Sequence, residues 1–471
     1  MTILGLGMDM NGGLLFPPID EKDALKSLQR SLERNASALR SQSVLNTRGF
    51  SFRGEAQRRV KDVGDPREAG WTFLVAENDP RRASIVEIMK PLAVHRGMKD
   101  PSAPLIFGGE ADDRWGDWLQ DKYWAAELEG SKAPAYVLFV GDPARLPFRL
   151  QSLMDTVANV GRLDFDSPTD LEAYVKKVVR LETAPDPAVK REVIVFATDG
   201  GPNDPTHYSR QHMAEPLSNH IQETLGFRVT SLIAADASKT KLQAALEASQ
   251  PALVYTASHG LGQTGRPLAE QKRFNGALCC QSSGPLTLNE LFCAEDVPSN
   301  RPFLEGAVFF QFACFGGGTP AQSDYTHWLE GVPENYADED FVAALPKRLL
   351  AHPRGPVAFV GHLDTAWMHG FTDAASPDIL ERWHNRMAPF VHAIDEILSV
   401  QPAALGMQMM NDRYTTTNAI LSGTYDRQRR GTLTWTDELA ARFIDTWIIR
   451  SDAQNYMVLG DPAARLRIPL E

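Results

Sequence analysis

The sequence predicts an α/β protein in which a mostly parallel sheet lies between two layers of helices. Two observations predict this three-layer α/β/α sandwich. From about residue 190 to residue 365, short apolar runs alternate with segments of helical periodicity, which is the pattern of βαβ units. Each apolar run ends in glycine or polar residues, as a buried parallel strand does where it enters a loop. Because βαβ connections are right-handed, their helices cover both faces of the sheet.

The N-terminal part of the chain gives weaker signals. Residues 1–20 predict an edge hairpin that turns at Gly12 and Gly13, and leucines at helical spacing predict an amphipathic helix over 21–40. The polar, locally basic stretch from about 40 to 67 predicts a surface segment, and an activation or autocleavage region is the alternative interpretation. The apolar run 135–140 predicts a buried strand that enters a Gly-Asp-Pro turn, and a second such turn at 460–462 is either a weak repeat or simply a favourable turn.

The central region is the most informative. Its patterns predict strands at 192–197, 228–234, 252–257, 307–312 and 356–360, with helices at 209–225 and 239–248. In open parallel sheets, functional groups collect beyond the carboxyl ends of the strands. His259 and Cys314 each lie just past the end of a predicted strand, so we expect the two side chains to meet in one cleft.

Composition excludes several classes of function. Hydrophobic residues make up 43% of the chain and charged residues 23%, which are the values of ordinary folded proteins. The net charge of −12 disfavours a surface for phosphate backbones or anionic lipid, so we expect no direct contact with nucleic acid. The N-terminus lacks the layout of a signal peptide, and the apolar runs are far shorter than the roughly 20 residues that span a bilayer. We therefore expect a cytoplasmic protein that does not contact a membrane.

The four cysteines are too few and too clustered to cross-link a chain of this length. Reduced thiols in a cytosol are the simpler interpretation. Cys279 and Cys280 are adjacent and lack the usual two-residue spacer of zinc sites. The sequence therefore predicts no structural metal, and it predicts no organic cofactor.

His259 and Cys314 have the chemistry of a thiol nucleophile and its base. A thiol needs a basic or cationic neighbour to form the reactive thiolate, and an attacked carbonyl needs donors for its oxyanion. His259 can supply the first, and the backbone N–H groups of Gly260 and Cys314 are candidates for the second. The 55 positions between the two residues leave room for a crossover between neighbouring strands.

The residues around this pair resemble a known group of peptidases. The run from Gln311 to Gly316, with Cys314 inside it, resembles the nucleophile motif of caspases, in which the histidine lies about 50 residues upstream. The run 255–260 is similar to the matching histidine strand. More closely, the chain resembles the bacterial caspase-like peptidases of the CHAT and gingipain-like branches, and the likeness covers residues 190–365. Two further stretches, 140–164 and 459–462, are also similar to gingipain-like chains.

This resemblance implies a caspase-like sheet in a catalytic domain at 186–471, packed on an N-terminal α/β subdomain at 1–185. It also implies a cysteine endopeptidase that cleaves a protein substrate through a His-Cys dyad and a thioester. CHAT-type peptidases serve regulated bacterial immune or cell-death pathways, such as antiviral defence. A dedicated protein substrate and an activating partner or regulator are therefore expected.

The substrate pocket is harder to predict. Ser258, Phe315 and Asp364 are candidate substrate-binding residues because they adjoin the predicted dyad or follow a neighbouring strand. Phe315 departs from the caspase pattern, and no set of arginines for an aspartate before the cut can be identified. An acidic stretch at 321–341 favours a basic residue in the substrate, and a solvated charged loop is the alternative interpretation.

Other functions fit the sequence less well. His362 and Asp364 resemble the His-x-Asp turn of zinc hydrolases, but no adjacent pair of glutamates could provide a general base. The glycine run 316–318 lacks the rest of a nucleotide-binding loop. A non-catalytic scaffold or a zymogen with a caspase-like fold is the remaining alternative, and the presence of both His259 and Cys314 argues against the scaffold.

Overall fold

A computed structural model describes residues 2–20, 22–24, 26–27, 62–125, 133–282, 284–325, 335–372 and 386–469. Its centre is a ten-stranded sheet. In spatial order the strands are β5 (Leu105–Phe107), β4 (Trp71–Ala76), β6 (Tyr136–Val140), β7 (Asn159–Leu163), β18 (Tyr456–Gly460), β17 (Ala358–His362), β14 (Val308–Phe312), β10 (Pro251–Ala257), β8 (Lys190–Ala197) and β9 (Arg228–Ile233).

The sheet consists of two parallel halves that run in opposite directions. All neighbouring strands of this sheet are parallel except β17 and β18, which pair antiparallel from Ala358 opposite Gly460 to His362 opposite Tyr456. The last strand, β18, continues the half that holds β4 to β7. The carboxyl ends of the two halves therefore lie at opposite edges of the sheet.

Helices cover both faces of the sheet, as the predicted three-layer sandwich requires. In β6, Leu138 packs in one buried apolar cluster with Met89, whereas Val137 and Phe139 pack in a second cluster with Trp118. This alternation follows from the two-residue period of a strand. The helices of the described residues are Pro66–Ala69, Arg82–His95, Trp115–Trp118, Phe148–Met154, Pro168–Thr183, Pro205–Ser209, Glu215–Glu223, Lys239–Ala248, Leu268–Phe274, Ala344–Ala351, Ala388–Leu398, Ala403–Gly406, Gln408–Arg429 and Asp437–Gln454.

The predicted central elements are found with small changes in their bounds. The helix predicted at 209–225 is interrupted by a π-helical turn at Arg210–Ala214 between Pro205–Ser209 and Glu215–Glu223. The strand predicted at 356–360 begins and ends two residues later, so His362 belongs to β17. The boundary between residues 185 and 186 stays a prediction, since the sheet continues across both halves.

The N-terminal residues form more than an edge hairpin. The strand β1 (Thr2–Ile3) pairs with β3 (Ile19–Asp20), and Asp9 accepts a backbone hydrogen bond across the turn from Gly12. The intervening β2 (Gly7–Met8) joins a second small sheet, in the order β13 (Leu291–Phe292), β12 (Leu278–Cys279), β11 (Gly260–Leu261) and β2. A two-stranded sheet of β15 (Gly318–Thr319) and β16 (Phe341–Val342) lies elsewhere in the fold.

Of the helix predicted at 21–40 only residues up to 27 are described, and most of the segment predicted at 40–67 lies outside the described residues.

Candidate active site

Four strand ends meet at the edge of the sheet where the predicted nucleophile lies. The strands β8, β10, β14 and β17 are neighbours and parallel, with Ala257 opposite both Ala197 and Phe312. His259 therefore follows the strand next to the one that Cys314 follows. The loop after β8 contributes Asp204, and the loop after β17 contributes Ala366. This convergence is what the parallel arrangement predicts.

His259 is buried, and one of its ring nitrogens is held by a carboxylate. The ring Nε2 lies 2.9 Å from both carboxylate oxygens of Asp204. The other nitrogen, Nδ1, is buried and has no hydrogen-bond partner among the described residues. Because a carboxylate on Nε2 favours a proton there, Nδ1 is left to accept a proton. Such an orienting carboxylate also stabilises the imidazolium once it forms.

Asp204 occupies this position because it caps a helix. Its carboxylate accepts hydrogen bonds from the backbone N–H and the hydroxyl of Thr206, at the start of the helix Pro205–Ser209. Gly200 allows the close approach, since a Cβ at that position would lie 2.4 Å from the Asp204 Cγ. Burial raises the pKa of the Asp204 carboxyl, but the hydrogen bonds from His259 and Thr206 outweigh it, so the pKa lies below its usual value. The group is therefore a carboxylate at neutral pH.

Cys314 is fully buried, and its thiol faces the loop after β17. The Ala366 N–H donates to the sulfur over 3.1 Å. Burial, with smaller contributions from the charges of Asp364 and Asp452, raises the pKa of the Cys314 thiol well above its usual value. The His259 ring is hydrogen-bonded to Asp204, and no hydrogen bond joins it to this sulfur among the described residues. The thiol in this structure is consequently protonated and shielded from water.

The two amides predicted to bind an oxyanion are adjacent. A Cβ on Gly260 would lie 1.9 Å from the Cys314 carbonyl oxygen and 2.9 Å from the Cys314 nitrogen, so only glycine fits there. The next residue, Phe315, has a φ of 58°, a left-handed conformation that costs energy for a residue with a side chain. Gly276 accommodates this turn, because a Cβ there would lie 2.2 Å from the Phe315 carbonyl oxygen. The predicted nucleophile, Cys314, thus directly precedes a strained turn that neighbouring glycines accommodate.

The three predicted substrate-binding residues have other partners in this structure. The Ser258 hydroxyl donates to the His259 carbonyl over 2.8 Å, and the ring of Phe315 packs edge-on against Tyr336. Asp364 is buried and accepts from the Thr365 N–H, from the Asp324 N–H and from the Ser323 hydroxyl. Burial raises the pKa of the Asp364 carboxyl to about 6. Their role in substrate binding stays a prediction.

The rival metal site finds no support in the geometry. His362 is buried inside β17, where its Nδ1 lies 2.8 Å from the Asp364 carbonyl and its Nε2 lies 3.2 Å from the Asp452 carbonyl. Among the residues that the structure describes, no group of three histidine, cysteine or acidic side chains is arranged to hold a metal ion. Of the acidic stretch at 321–341, residues 326–334 lie outside the described residues.

Sequence reasoning did not find Asp204. The sequence signal for Asp204 is local. Asp204 precedes Pro205, which starts a helix, and both lie in the loop after β8, the strand next to β10. Asp199 lies in the same loop and offers the same chemistry. In the structure Asp199 instead binds His207 and the Arg210 guanidinium. The choice between the two carboxylates depends on packing that the sequence pattern does not contain.

A parallel sheet with these strand-end residues is the arrangement of caspase-like cysteine peptidases. The model of peptidase family C25 matches residues 107–467, which is more than half of the chain. The chain belongs to this family of gingipain-like cysteine peptidases, and it is a cysteine-type peptidase. No curated protein sequence matches it.

Solved structures with a similar fold are distant in sequence. The Arg-specific cysteine proteinase gingipain R (RgpB) is 13% identical, with a TM-score of 0.45 over 85% of this chain and 78% of that chain. The complex of Porphyromonas gingivalis RgpB pro- and mature domains is also 13% identical, with a TM-score of 0.45 over 84% of this chain and 80% of that chain. A structure described as a protease is 13% identical, with a TM-score of 0.48 over 86% of this chain and 81% of that chain.

No helix among the described residues is both long enough and apolar enough to cross a bilayer.

Proposed function

We propose that the chain is an endopeptidase in which Cys314 is the nucleophile, His259 is its base and Asp204 is the positioning residue of His259. The observation that carries the proposal is the position of His259 and Cys314 at the ends of neighbouring parallel strands, with the Asp204 carboxylate 2.9 Å from the His259 Nε2. Membership of a cysteine peptidase family supports the reaction class.

The proposed reaction follows from these groups. His259 accepts the thiol proton as the Cys314 sulfur attacks the carbonyl carbon of the substrate, and the oxyanion binds to the N–H groups of Gly260 and Cys314. The carbon–nitrogen bond then breaks, and His259 gives the proton to the leaving amine. Water, activated by the neutral His259, hydrolyses the thioester. The products are a carboxylic acid and an amine, and the thiol is regenerated.

The test compares the wild type with Cys314→Ala and His259→Ala on a mixed peptide library without added metal. We expect both variants to lose cleavage to the uncatalysed background, and a chelator to have no effect on the wild type. Cys279→Ala is a matched control, because Cys279 is also a buried thiol but lies in β12. Its cleavage rate should stay within about twofold of the wild type.

The result that would overturn the assignment is a Cys314→Ala variant that cleaves as fast as the wild type. A thiol-reactive probe gives an independent readout, because mass spectrometry of the labelled peptides identifies which cysteine reacts. If the library is cut, the residues before the cut define the specificity directly.

The wider role is proposed from the CHAT and gingipain-like resemblance. We place the enzyme in the bacterial cytoplasm, in a regulated immune or cell-death pathway, with a dedicated protein substrate and an activating partner. The experiment is substrate trapping: Cys314→Ala, which binds without cleaving, is expressed in the native host and its bound proteins are compared with those of Cys314→Ala, His259→Ala. Cell fractionation tests the location, and enrichment in a periplasmic or secreted fraction would contradict it.

A further inference from the structure

The N-terminal segment of residues 4–8 runs as an extended strand directly between the loops of the candidate active site. On one side, the Leu6 N–H donates to the Ala366 carbonyl over 2.9 Å, and the Met368 N–H donates to the Leu4 carbonyl over 3.1 Å. On the other side, the Gly262 N–H donates to the Met8 carbonyl over 2.9 Å. The pairing is antiparallel to the 366–368 loop and parallel to β11. An extended chain held by main-chain bonds in this way has the binding mode of a peptide added to a sheet edge.

The register of this strand places one peptide bond at the proposed nucleophile. The Leu6 carbonyl accepts from the Gly260 N–H over 3.2 Å, and that N–H is one of the two proposed oxyanion donors. Ala366, whose carbonyl accepts from the Leu6 N–H, donates its own N–H to the Cys314 sulfur over 3.1 Å. A Cβ on Gly7 would lie 3.7 Å from the same sulfur. The bond between Leu6 and Gly7 is therefore the part of the segment that lies against the thiol.

The sequence of the segment suits this position. Successive side chains of a strand point to opposite faces. Leu4 and Leu6 are buried in the apolar core, whereas Gly5 and Gly7 leave almost no room on the other face. A Cβ on Gly5 would lie 2.8 Å from a methyl carbon of Thr365, and a Cβ on Gly7 would lie 3.0 Å from the Leu15 Cβ. Glycine at both positions lets the main chain reach the nucleophile and the loop beside it.

We propose that residues 4–8 occupy the substrate groove of the enzyme as an internal substrate mimic, with Leu6 before and Gly7 after the bond that faces Cys314. The groove accordingly binds extended peptides with an apolar residue before the cut and a glycine after it. External peptides enter only when the segment leaves. This inference rests on the proposed function, since it takes Gly260 as an oxyanion donor and Cys314 as the nucleophile.

Cys314 is completely buried beside this segment. Gly7 and Ala366 lie against the sulfur, and burial raises the pKa of the thiol. A merely structural strand in the same place would anchor the N-terminus equally well. The two interpretations differ in one respect: a substrate mimic competes with added peptides of its own sequence, whereas a structural strand does not.

The first test measures how fast Cys314 is alkylated by iodoacetamide in the full chain. Gly5→Val should displace the segment through its contact with Thr365, and we expect Cys314 to react at least tenfold faster than in the wild type. Gly13→Val is the matched control, because it lies in the same N-terminal segment and its Cβ would meet only the Asp9 carboxylate, at 3.7 Å. It should react at the wild-type rate. Cys280, which is buried in the main apolar core, reports on folding and should stay protected in every variant.

Equal alkylation of Cys314 in the wild type and Gly5→Val, with Cys280 protected in both, would overturn the proposal. The second test adds a synthetic peptide of the sequence of residues 2–11 to Gly5→Val. The peptide should restore protection of Cys314, and a peptide carrying Leu6→Asp should not; equal protection by both would also overturn the proposal. Alkylation does not require hydrolysis. A Gly5→Val chain that passes both tests but cleaves no peptide would therefore reject the proposed function and leave the groove assignment intact.

Discussion

The two halves of the central sheet end in chemically different edges. At the carboxyl ends of β4, β6 and β7, charged side chains pair with each other: Asp79 with Arg81, Asp142 with Arg145, and Lys347 with Asp166. At the carboxyl ends of β10 and β14, His259 and Cys314 are buried, and the thiol has no charged partner within hydrogen-bond distance in the described structure. The charges at one edge are neutralised by ion pairs, and the other edge holds the proposed nucleophile.

This difference favours the half with β10 and β14 as the part of the sheet that carries the proposed reaction. Both halves are parallel, so each collects loops at its carboxyl edge. At the carboxyl edge of the half with β4 to β7, the Gly-Asp-Pro turns after β6 and β18 make structural contacts. The Asp461 carboxylate, for example, is buried in an ion pair with Arg96. The loops after β10 and β14 instead bring main-chain amides and a base to a thiol. The fold provides two equivalent edges, and the residue types decide which one can be catalytic.

The largest loss of activity is expected from a substitution at the sheet edge that holds His259 and Cys314. His259→Ala should lower kcat/KM for a cleaved peptide to the background, whereas Asp142→Ala at the opposite edge should change it by less than about twofold, because partly exposed ion pairs contribute at most about 1 kcal/mol. Steady-state kinetics on the same peptide measures both. A comparable loss in Asp142→Ala would mean that the two edges are functionally coupled.

Asp204→Asn tests whether the proposed reaction depends on the carboxylate that binds the His259 ring. Asparagine keeps the helix cap but does not fix the ring proton on His259 Nε2, so kcat should fall by roughly 10²- to 10⁴-fold. The melting temperature should stay within a few degrees of the wild type. Asp199→Asn is the matched control in the same loop, and its kcat should change by less than about tenfold.

An Asp204→Asn variant with unchanged kcat would show that His259 is oriented by another group. Comparing KM with kcat adds a readout that a purely structural role would not give. Loss of an orienting carboxylate should lower kcat and leave KM nearly unchanged, whereas a general structural defect should change both.

Gly260→Ala tests the closest contact between the two strand ends. The added Cβ would lie 1.9 Å from the Cys314 carbonyl oxygen, so the main chain must move and the oxyanion donor moves with it. We expect kcat to fall by about 10²- to 10³-fold and the chain to lose about 1 to 3 kcal/mol of stability. Gly284→Ala is the control, since a Cβ there would meet nothing within 4 Å. Wild-type kcat in Gly260→Ala would argue against this amide as an oxyanion donor.

Much of the fold could be predicted from sequence because it depends on local periodicity. The sequence before His259 and before Cys314 is a short apolar run with glycine soon after it, and both runs form strands in the structure. The antiparallel junction of β17 and β18 could not be predicted, because the two strands are separated by about a hundred residues of unrelated pattern. Asp204 and the segment of residues 4–8 were missed for the same reason: their roles arise from contacts between distant parts of the chain.

The smallest expected effect concerns stability and not activity, and it comes from Asp364, which lies behind the catalytic edge. Burial raises the pKa of its carboxyl from the ordinary value of 3.8 to about 6, so the folded state holds this proton more tightly than the unfolded state does. The unfolding free energy should therefore fall as the pH rises from about 4 to about 6, by about 2 to 3 kcal/mol from this group, and level off above. Asp324, whose charge lies nearby, and the Tyr336 hydroxyl face the same carboxyl.

Urea unfolding of Cys314→Ala, which cannot cleave itself, measures this dependence from pH 4 to pH 7. The double variant Cys314→Ala, Asp364→Asn lacks the titrating group, so its stability should fall less steeply over the same interval. Other carboxyls, such as Asp204 with its lowered pKa, contribute the opposite slope in both proteins and cancel in the comparison. Identical slopes would mean that the Asp364 carboxyl titrates near its ordinary pKa, and that water reaches the wall of the groove beside Thr365.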